Sequence, residues 1–182
     1  MSGAARLPAF AAKLRTPFAV LGVQTDGRAV TRLTYLPRDE RAQAPTDAVA
    51  ELAARELERY LADPGFRFTV PLAPSGTPFQ HRVWQALGAI PPGQSRTYGE
   101  VARMVRSAPR AIGQACGANR IALVIPCHRV VGAMGSLGGF MGAAGPSQSA
   151  RFVGGEPAHA DDGDPIAIKR WLLRHEGYRF GA

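Results

Sequence analysis

Residues 17–36 alternate loosely between apolar and polar positions and predict two short strands. PFAVLGVQ forms the first, AVTRLTYL the second, and Thr25-Asp26-Gly27-Arg28 the turn between them. Asp-Gly at the centre of that turn favours a tight hairpin. The period then changes to 3.6. Val49, Leu52, Ala53, Leu57, Tyr60 and Leu61 share one face, so residues 46–62 predict a helix capped by Thr46 or Asp47 and ended by Asp63-Pro64-Gly65. Residues 66–72, FRFTVPL, predict a third strand. Pro71, Pro74, Ser75 and Gly76 read as a linker, with a domain boundary between residues 75 and 76.

Helical periods dominate beyond the linker. Thr77 precedes Pro78, which suits a first helical position, and Phe79, Val83, Trp84, Leu87 and Ile90 follow on one face until Pro91-Pro92-Gly93. Tyr98 to Val105 and Arg110 to Ala118 predict two short helices joined at Ser107-Ala108-Pro109, a helix-turn-helix pattern. Ile121 to Ile125 predicts a short apolar strand. Residues 132–165 hold nine glycines and three prolines, and 143–165 predict a long loop. Its His159 lies beside Glu156, Asp161, Asp162 and Asp164, which fits either a metal site or a solvated acidic loop. IAIKRWLLRHEG then forms an amphipathic helix that Gly177 stops.

Composition narrows the class. The 182 residues are 46% hydrophobic and 20% charged, enough to build a core. Two cysteines cannot make a disulfide framework or a four-thiolate zinc site. No apolar run approaches the roughly 20 residues that span a bilayer, and MSGAARLPAFAAK lacks the apolar stretch of a signal peptide. A cytoplasmic protein with reduced thiols and no membrane association is expected. The net charge is +8, and residues 76–152 carry nearly all of it: eight arginines face the single acid Glu100. An arginine-favouring genome accounts for 20 arginines against two lysines, but not for the missing acids in one segment. Phosphate binding in that segment, which arginine's planar fork suits, is expected.

Ile125-Pro126-Cys127-His128-Arg129-Val130 is the segment richest in chemistry. Pro126 restricts the backbone just before Cys127. A thiol becomes a nucleophile when a base or cation lies close, and His128 and Arg129 are one of each. Adjacent side chains point apart, so a bridging water would be needed between Cys127 and His128. Glu176 is a candidate to orient that base. On residue types alone, a buried structural Cys-His pair remains open.

Pro126-Cys127-His128-Arg129-Val130 resembles the active-site signature of the O6-alkylguanine-DNA alkyltransferases, suicide repair proteins. Further ordered segments carry the resemblance: Gly76-Thr77-Pro78-Phe79-Gln80 with Val83-Trp84, Ile90-Pro91-Pro92-Gly93, Thr97-Tyr98-Gly99-Glu100-Val101-Ala102 and Arg110-Ala111-Ile112-Gly113. Asn119 stands eight residues before Cys127, and Lys169-Arg170-Trp171-Leu172-Leu173 with His175-Glu176-Gly177 resembles the closing helix. The similarity covers residues 76–142 and 166–177.

The resemblance implies an α/β (α+β) fold: a small N-terminal ribonuclease H-like α/β domain, residues 1–75, and a C-terminal winged helix-turn-helix alkyltransferase domain, residues 76–182. It implies a monomer that moves an alkyl group from O6-alkylguanine, and more weakly O4-alkylthymine, in double-stranded DNA onto Cys127. His128 would take the thiol proton through water, Glu176 would orient His128, Tyr98 would assist the leaving guanine, and Asn119 would hold the cysteine turn. Arg110, Ala111, Gly113 and Arg129 would contact DNA, with Arg110 filling the place of a flipped nucleotide. Val130, Phe140 and Met141 would line the substrate pocket. No cofactor and no metal is implied; residues 1–75 lack the cysteine and histidine that would hold zinc.

The chain departs from the family in three places. Phe140 and Met141 stand where a tyrosine and then a serine or glycine are common. Phe140 and Lys169 are 29 positions apart, roughly 20 more than a compact connection needs. The turn between Tyr98 and Arg110 is short. Three other functions remain: a non-catalytic lesion-binding protein, which would replace the cysteine; a winged-helix transcription regulator, which would not require Cys127; and a cysteine hydrolase, which would turn over without DNA.

Overall fold

The computed structural model describes residues 9–141 and 164–179. β1 (Ala12–Arg15), β2 (Val20–Thr25) and β3 (Val30–Leu36) form an antiparallel sheet in the order β1-β2-β3. The expected hairpin is β2–β3. The Asp26 carboxylate accepts from the N–H groups of Arg28 and Ala29 at 2.9 and 2.8 Å, and Gly27 takes φ +83° in the turn. Sequence periodicity did not predict β1, because its four residues alternate too briefly. It forms by pairing with β2, Ala12 opposite Val23 and Arg15 opposite Val20.

Helix α1 (Ala48–Ala62) begins at Asp47, whose carboxylate accepts from the Ala50 N–H at 2.8 Å. Ala50, Ala53, Leu57 and Tyr60 bury its apolar face in the core. The strand expected at 66–72 does not form. Only Leu72 makes a bridge, to Val30. Pro71 has no N–H to offer, and the buried Glu56 carboxylate takes the Thr69 and Val70 N–H groups at 2.8 and 2.9 Å, the places a strand partner would fill.

The second half contains α2 (Pro78–Gly88), β4 (Arg96–Thr97), α3 (Tyr98–Met104), α4 (Pro109–Gly117), β5 (Val130–Val131) and α5 (Pro165–His175). Reciprocal capping boxes start two of these helices: Thr77 with Gln80 on α2, and Thr97 with Glu100 on α3. α3 and α4 are the expected helix-turn-helix pair. Trp84 on α2 donates to the Ala115 carbonyl of α4 at 2.9 Å, and β4 pairs in parallel with β5.

The short strand expected at Ile121–Ile125 is instead a tight turn. The Ile125 N–H returns to Ile121 O at 2.9 Å, and Leu123 takes φ +88°. β3 braces this turn: the Leu33 N–H donates to Arg120 O at 2.8 Å and the Tyr35 hydroxyl to Ala122 O at 3.4 Å. One core unites the two halves, with Phe18, Leu21 and Tyr60 in the same cluster as Leu87, Ile112 and Leu172. At Gly93, φ +75°, a Cβ would stand 2.7 Å from Glu176 O, so glycine lets the turn after α2 close on the end of α5. Most of the loop expected near 143–165, including His159, lies outside the described residues. Asp164, grouped with that acidic loop in the sequence, caps α5 by accepting from the Ile166 and Ala167 N–H groups at 3.0 and 3.3 Å.

Candidate active site

Cys127 opens a short 3₁₀ turn, Cys127–Arg129, directly after Pro126. The backbone there is fixed from Asn119. Its amide donates to Ile125 O at 3.0 Å, and its side-chain oxygen accepts from the Ile121 N–H at 2.9 Å. The same amide nitrogen lies 2.7 Å from Cys127 Sγ, and Sγ lies 3.8 Å from the Cys116 carbonyl oxygen of α4. Burial alone would raise the Cys127 pKa. Hydrogen bonds from the Cys116 thiol and Asn119, with the Lys169 charge, outweigh burial and bring it below the ordinary thiol value. Cys116 carries the opposite shift: its hydrogen bond to Cys127 and its burial raise its pKa, so it remains a thiol donor.

His128 is fully buried. Its Nε2 lies 2.8 Å from Glu176 Oε1, and its Nδ1 has no hydrogen-bond partner among the described residues. A carboxylate only accepts, so the shared proton resides on Nε2 and Nδ1 presents a lone pair. Burial lowers the His128 pKa, against the pull of Glu176, which keeps the ring neutral and basic at neutral pH. Burial would raise the Glu176 pKa; hydrogen bonds and charge from His128 and Arg129 hold it down at about 2.

Arg129 corrects a sequence expectation. It is 8% exposed. Its Nε and Nη2 donate to the two Glu176 oxygens, each at 2.9 Å, and Nη1 donates to Ile90 O at 2.5 Å. A guanidinium buried in this way is spent on Glu176 and is not available to a phosphate.

The remaining expected residues fall into two groups. Tyr98 donates to Gly139 O at 3.2 Å, and burial raises its pKa to about 12, so the phenol stays protonated. Gly138, at φ +66°, leaves the room the Tyr98 ring occupies; a Cβ there would stand 2.7 Å from the ring. Val130 and Phe140 are buried, and Phe140 meets Tyr35 edge-on at 6.3 Å. Met141, half-buried at φ +50°, borders a hollow shared with Tyr35, Asn119 and Ala122. Arg110 and Ala111 open α4, with Arg110 exposed, and Gly113 lies one turn on, 3.9 Å from the Tyr98 ring by its Cβ position.

Sequence reasoning passed over two residues here. Lys169 is fully buried, and its ammonium donates to Val130 O and to Gly139 O, the latter at 2.9 Å. Burial brings its pKa down to about 8. One of only two lysines in the chain, set among Ile168 and Leu172, was the available signal. Tyr60, read as a core aromatic of α1, donates to Glu176 Oε1 at 2.9 Å; nothing local marked it. Among the described residues there is no group of three metal-ligating side chains, and no helix is long and apolar enough to cross a membrane.

Residues 78–178 match the family model for the 6-O-methylguanine DNA methyltransferase, DNA binding domain. The chain is 38% identical over 134 residues to the methylated-DNA–protein-cysteine methyltransferase of Methanosarcina mazei, covering 70% of this chain and 85% of that protein. It is 44% identical over 112 residues to the Salmonella typhimurium protein of the same name, but spans only 53% of it. Among solved structures, Mycobacterium tuberculosis OGT in complex with DNA aligns with 91% of each chain covered, 33% identity and a TM-score of 0.68.

Proposed function

The chain belongs to the methylated-DNA–protein-cysteine methyltransferase family, and from that premise we propose that it repairs O6-alkylguanine in duplex DNA, once per molecule, by taking the alkyl group onto Cys127. The observation that carries this reading is the buried Cys127 sulfur held by Asn119, one residue from a His128–Glu176 pair whose Nδ1 lone pair has no partner among the described residues.

The steps follow from the groups present. A single water relays the Cys127 proton to His128 Nδ1, and Glu176 stabilises the imidazolium that forms. Such help matters because a free thiol, with pKa about 8.5, is mostly protonated at neutral pH. The sulfur attacks the alkyl carbon, the carbon–O6 bond breaks, and its electron pair passes to the guanine. Tyr98, a phenol throughout the neutral range, donates to the guanine ring as charge develops there. The proton lost by the thiol ends on the guanine, and an unmodified base remains. The thioether has no hydrolytic exit, so the protein acts once.

An O6-alkyl group within a duplex does not reach a buried thiol, so the nucleotide must leave the stack. Exposed Arg110 at the start of α4 suits the vacated place. Ala111 and Gly113 let that helix approach the minor groove closely. O4-alkylthymine, with a similar O-alkyl geometry, is the weaker substrate. Duplex DNA carrying labelled O6-methylguanine tests the reading: label passes to the protein up to one equivalent per chain, and Cys127→Ser abolishes it. Transfer that survives Cys127→Ser overturns the mechanism. Arg110→Ala should slow duplex repair far more than reaction with free O6-alkylguanine, and equal losses would make Arg110 structural.

A further inference from the structure

One side chain of the N-terminal half reaches the carboxylate of the acceptor site. Tyr60, near the end of α1, is 1% exposed, and its hydroxyl donates to Glu176 Oε1 at 2.9 Å across 116 positions of sequence. Three donors converge on that oxygen: Tyr60, His128 Nε2 at 2.8 Å and Arg129 Nη2 at 2.9 Å. Tyr60 also grips the neighbouring residue. Its carbonyl accepts from His175 Nε2 at 2.8 Å, and the two rings meet edge to face at 5.2 Å. His175 in turn stacks on Trp171 at 4.8 Å.

From this geometry we infer that Tyr60 is a positioning residue for alkyl transfer, holding Glu176 Oε1 in line with His128 and limiting how much negative charge that oxygen presents to the imidazole. The inference rests on the reading of Cys127, His128 and Glu176 given above. Two protein donors besides His128 share Oε1, so the carboxylate is a weaker base toward the ring than it would be alone. Burial and the adjacent carboxylate push the Tyr60 phenol far above its ordinary pKa, so it remains a donor at neutral pH. The groups that set the His128 charge are Glu176 and Lys169 from the C-terminal segment and Arg129 from its own turn; Tyr60 from α1 acts on it only through Glu176.

Tyr60→Phe removes the hydroxyl and retains the ring packed on Phe68 and His175. The expected result is an about 10-fold slower transfer from O6-methylguanine DNA at neutral pH, with the acid limb of the pH–rate profile moved to higher pH as His128 becomes more basic. DNA affinity stays unchanged. In a Glu176→Gln background the same substitution should add little, because the acceptor it acts on is altered. A Tyr60→Phe profile that superimposes on wild type, or losses that multiply independently in the double variant, overturns the inference while wild-type transfer leaves the function standing. Absence of transfer in the wild type overturns both. A general loss of folding is recognised separately, as a lowered Tm with an unmoved acid limb, and that outcome also counts against a positioning role.

Discussion

The Asn119 amide nitrogen stands 2.7 Å from the Cys127 sulfur while the same amide holds the Ile121–Ile125 turn. One side chain thus fixes the nucleophile and stabilises its anion. Asn119→Asp keeps the shape but replaces the donor with a carboxylate. The thiol pKa should rise, and alkylation by iodoacetamide at neutral pH should slow by about 10-fold or more, the scale of a lost hydrogen bond to a charged group. An unchanged rate–pH curve would show that the amide serves the turn alone.

Arg129→Ala should act on stability. It leaves the Glu176 carboxylate buried with two of its hydrogen bonds gone, a class of change that costs roughly 3–5 kcal/mol. Urea titration measures that loss. The salt dependence of DNA binding by the folded variant should match wild type, because the guanidinium is engaged by Glu176 and Ile90 O. A shallower salt slope would return Arg129 to the DNA face.

Gly138→Ala tests the seat of Tyr98. The new Cβ would meet the ring at 2.7 Å, and φ +66° is strained for alanine. Transfer should slow by at least about 10-fold with duplex affinity nearly intact. Wild-type rates would mean the ring position is not critical.

Acid sensitivity follows from Glu176. Its folded pKa of about 2 lies below the ordinary 4.5. The stabilisation from its ionised form is therefore complete above pH 4.5 and is lost as pH falls toward 2. Unfolding free energy measured across that window should fall with pH, and Glu176→Gln should flatten the fall. An equally steep fall in the variant would place the acid lability elsewhere.

Local patterns made much of the fold legible. Asp26-Gly27, the Asp47 cap and the Thr77-Pro78 start are written within a few residues of the structures they make. Residues 66–72 misled because Glu56, more than ten positions upstream, satisfies their N–H groups in place of a strand. Within the site, the motif order located Cys127, His128, Glu176 and Asn119. The resemblance put Arg129 among the DNA contacts, whereas its burial is decided by Glu176, 47 positions away, and by Ile90. Tyr60 carries no local mark because an apolar helical face conceals a polar end until the helices pack, whereas Lys169 stood out only as a rare lysine among apolar neighbours.

The central claim is that Cys127 is the alkyl acceptor. Intact-mass analysis with peptide mapping, after reaction with excess O6-methylguanine duplex DNA, tests it most directly. The account predicts one added methyl per chain, on the peptide containing Cys127, with Cys116 unmodified and no further gain on longer incubation. A methyl group on Cys116, or repaired DNA with an unmodified protein, would contradict it.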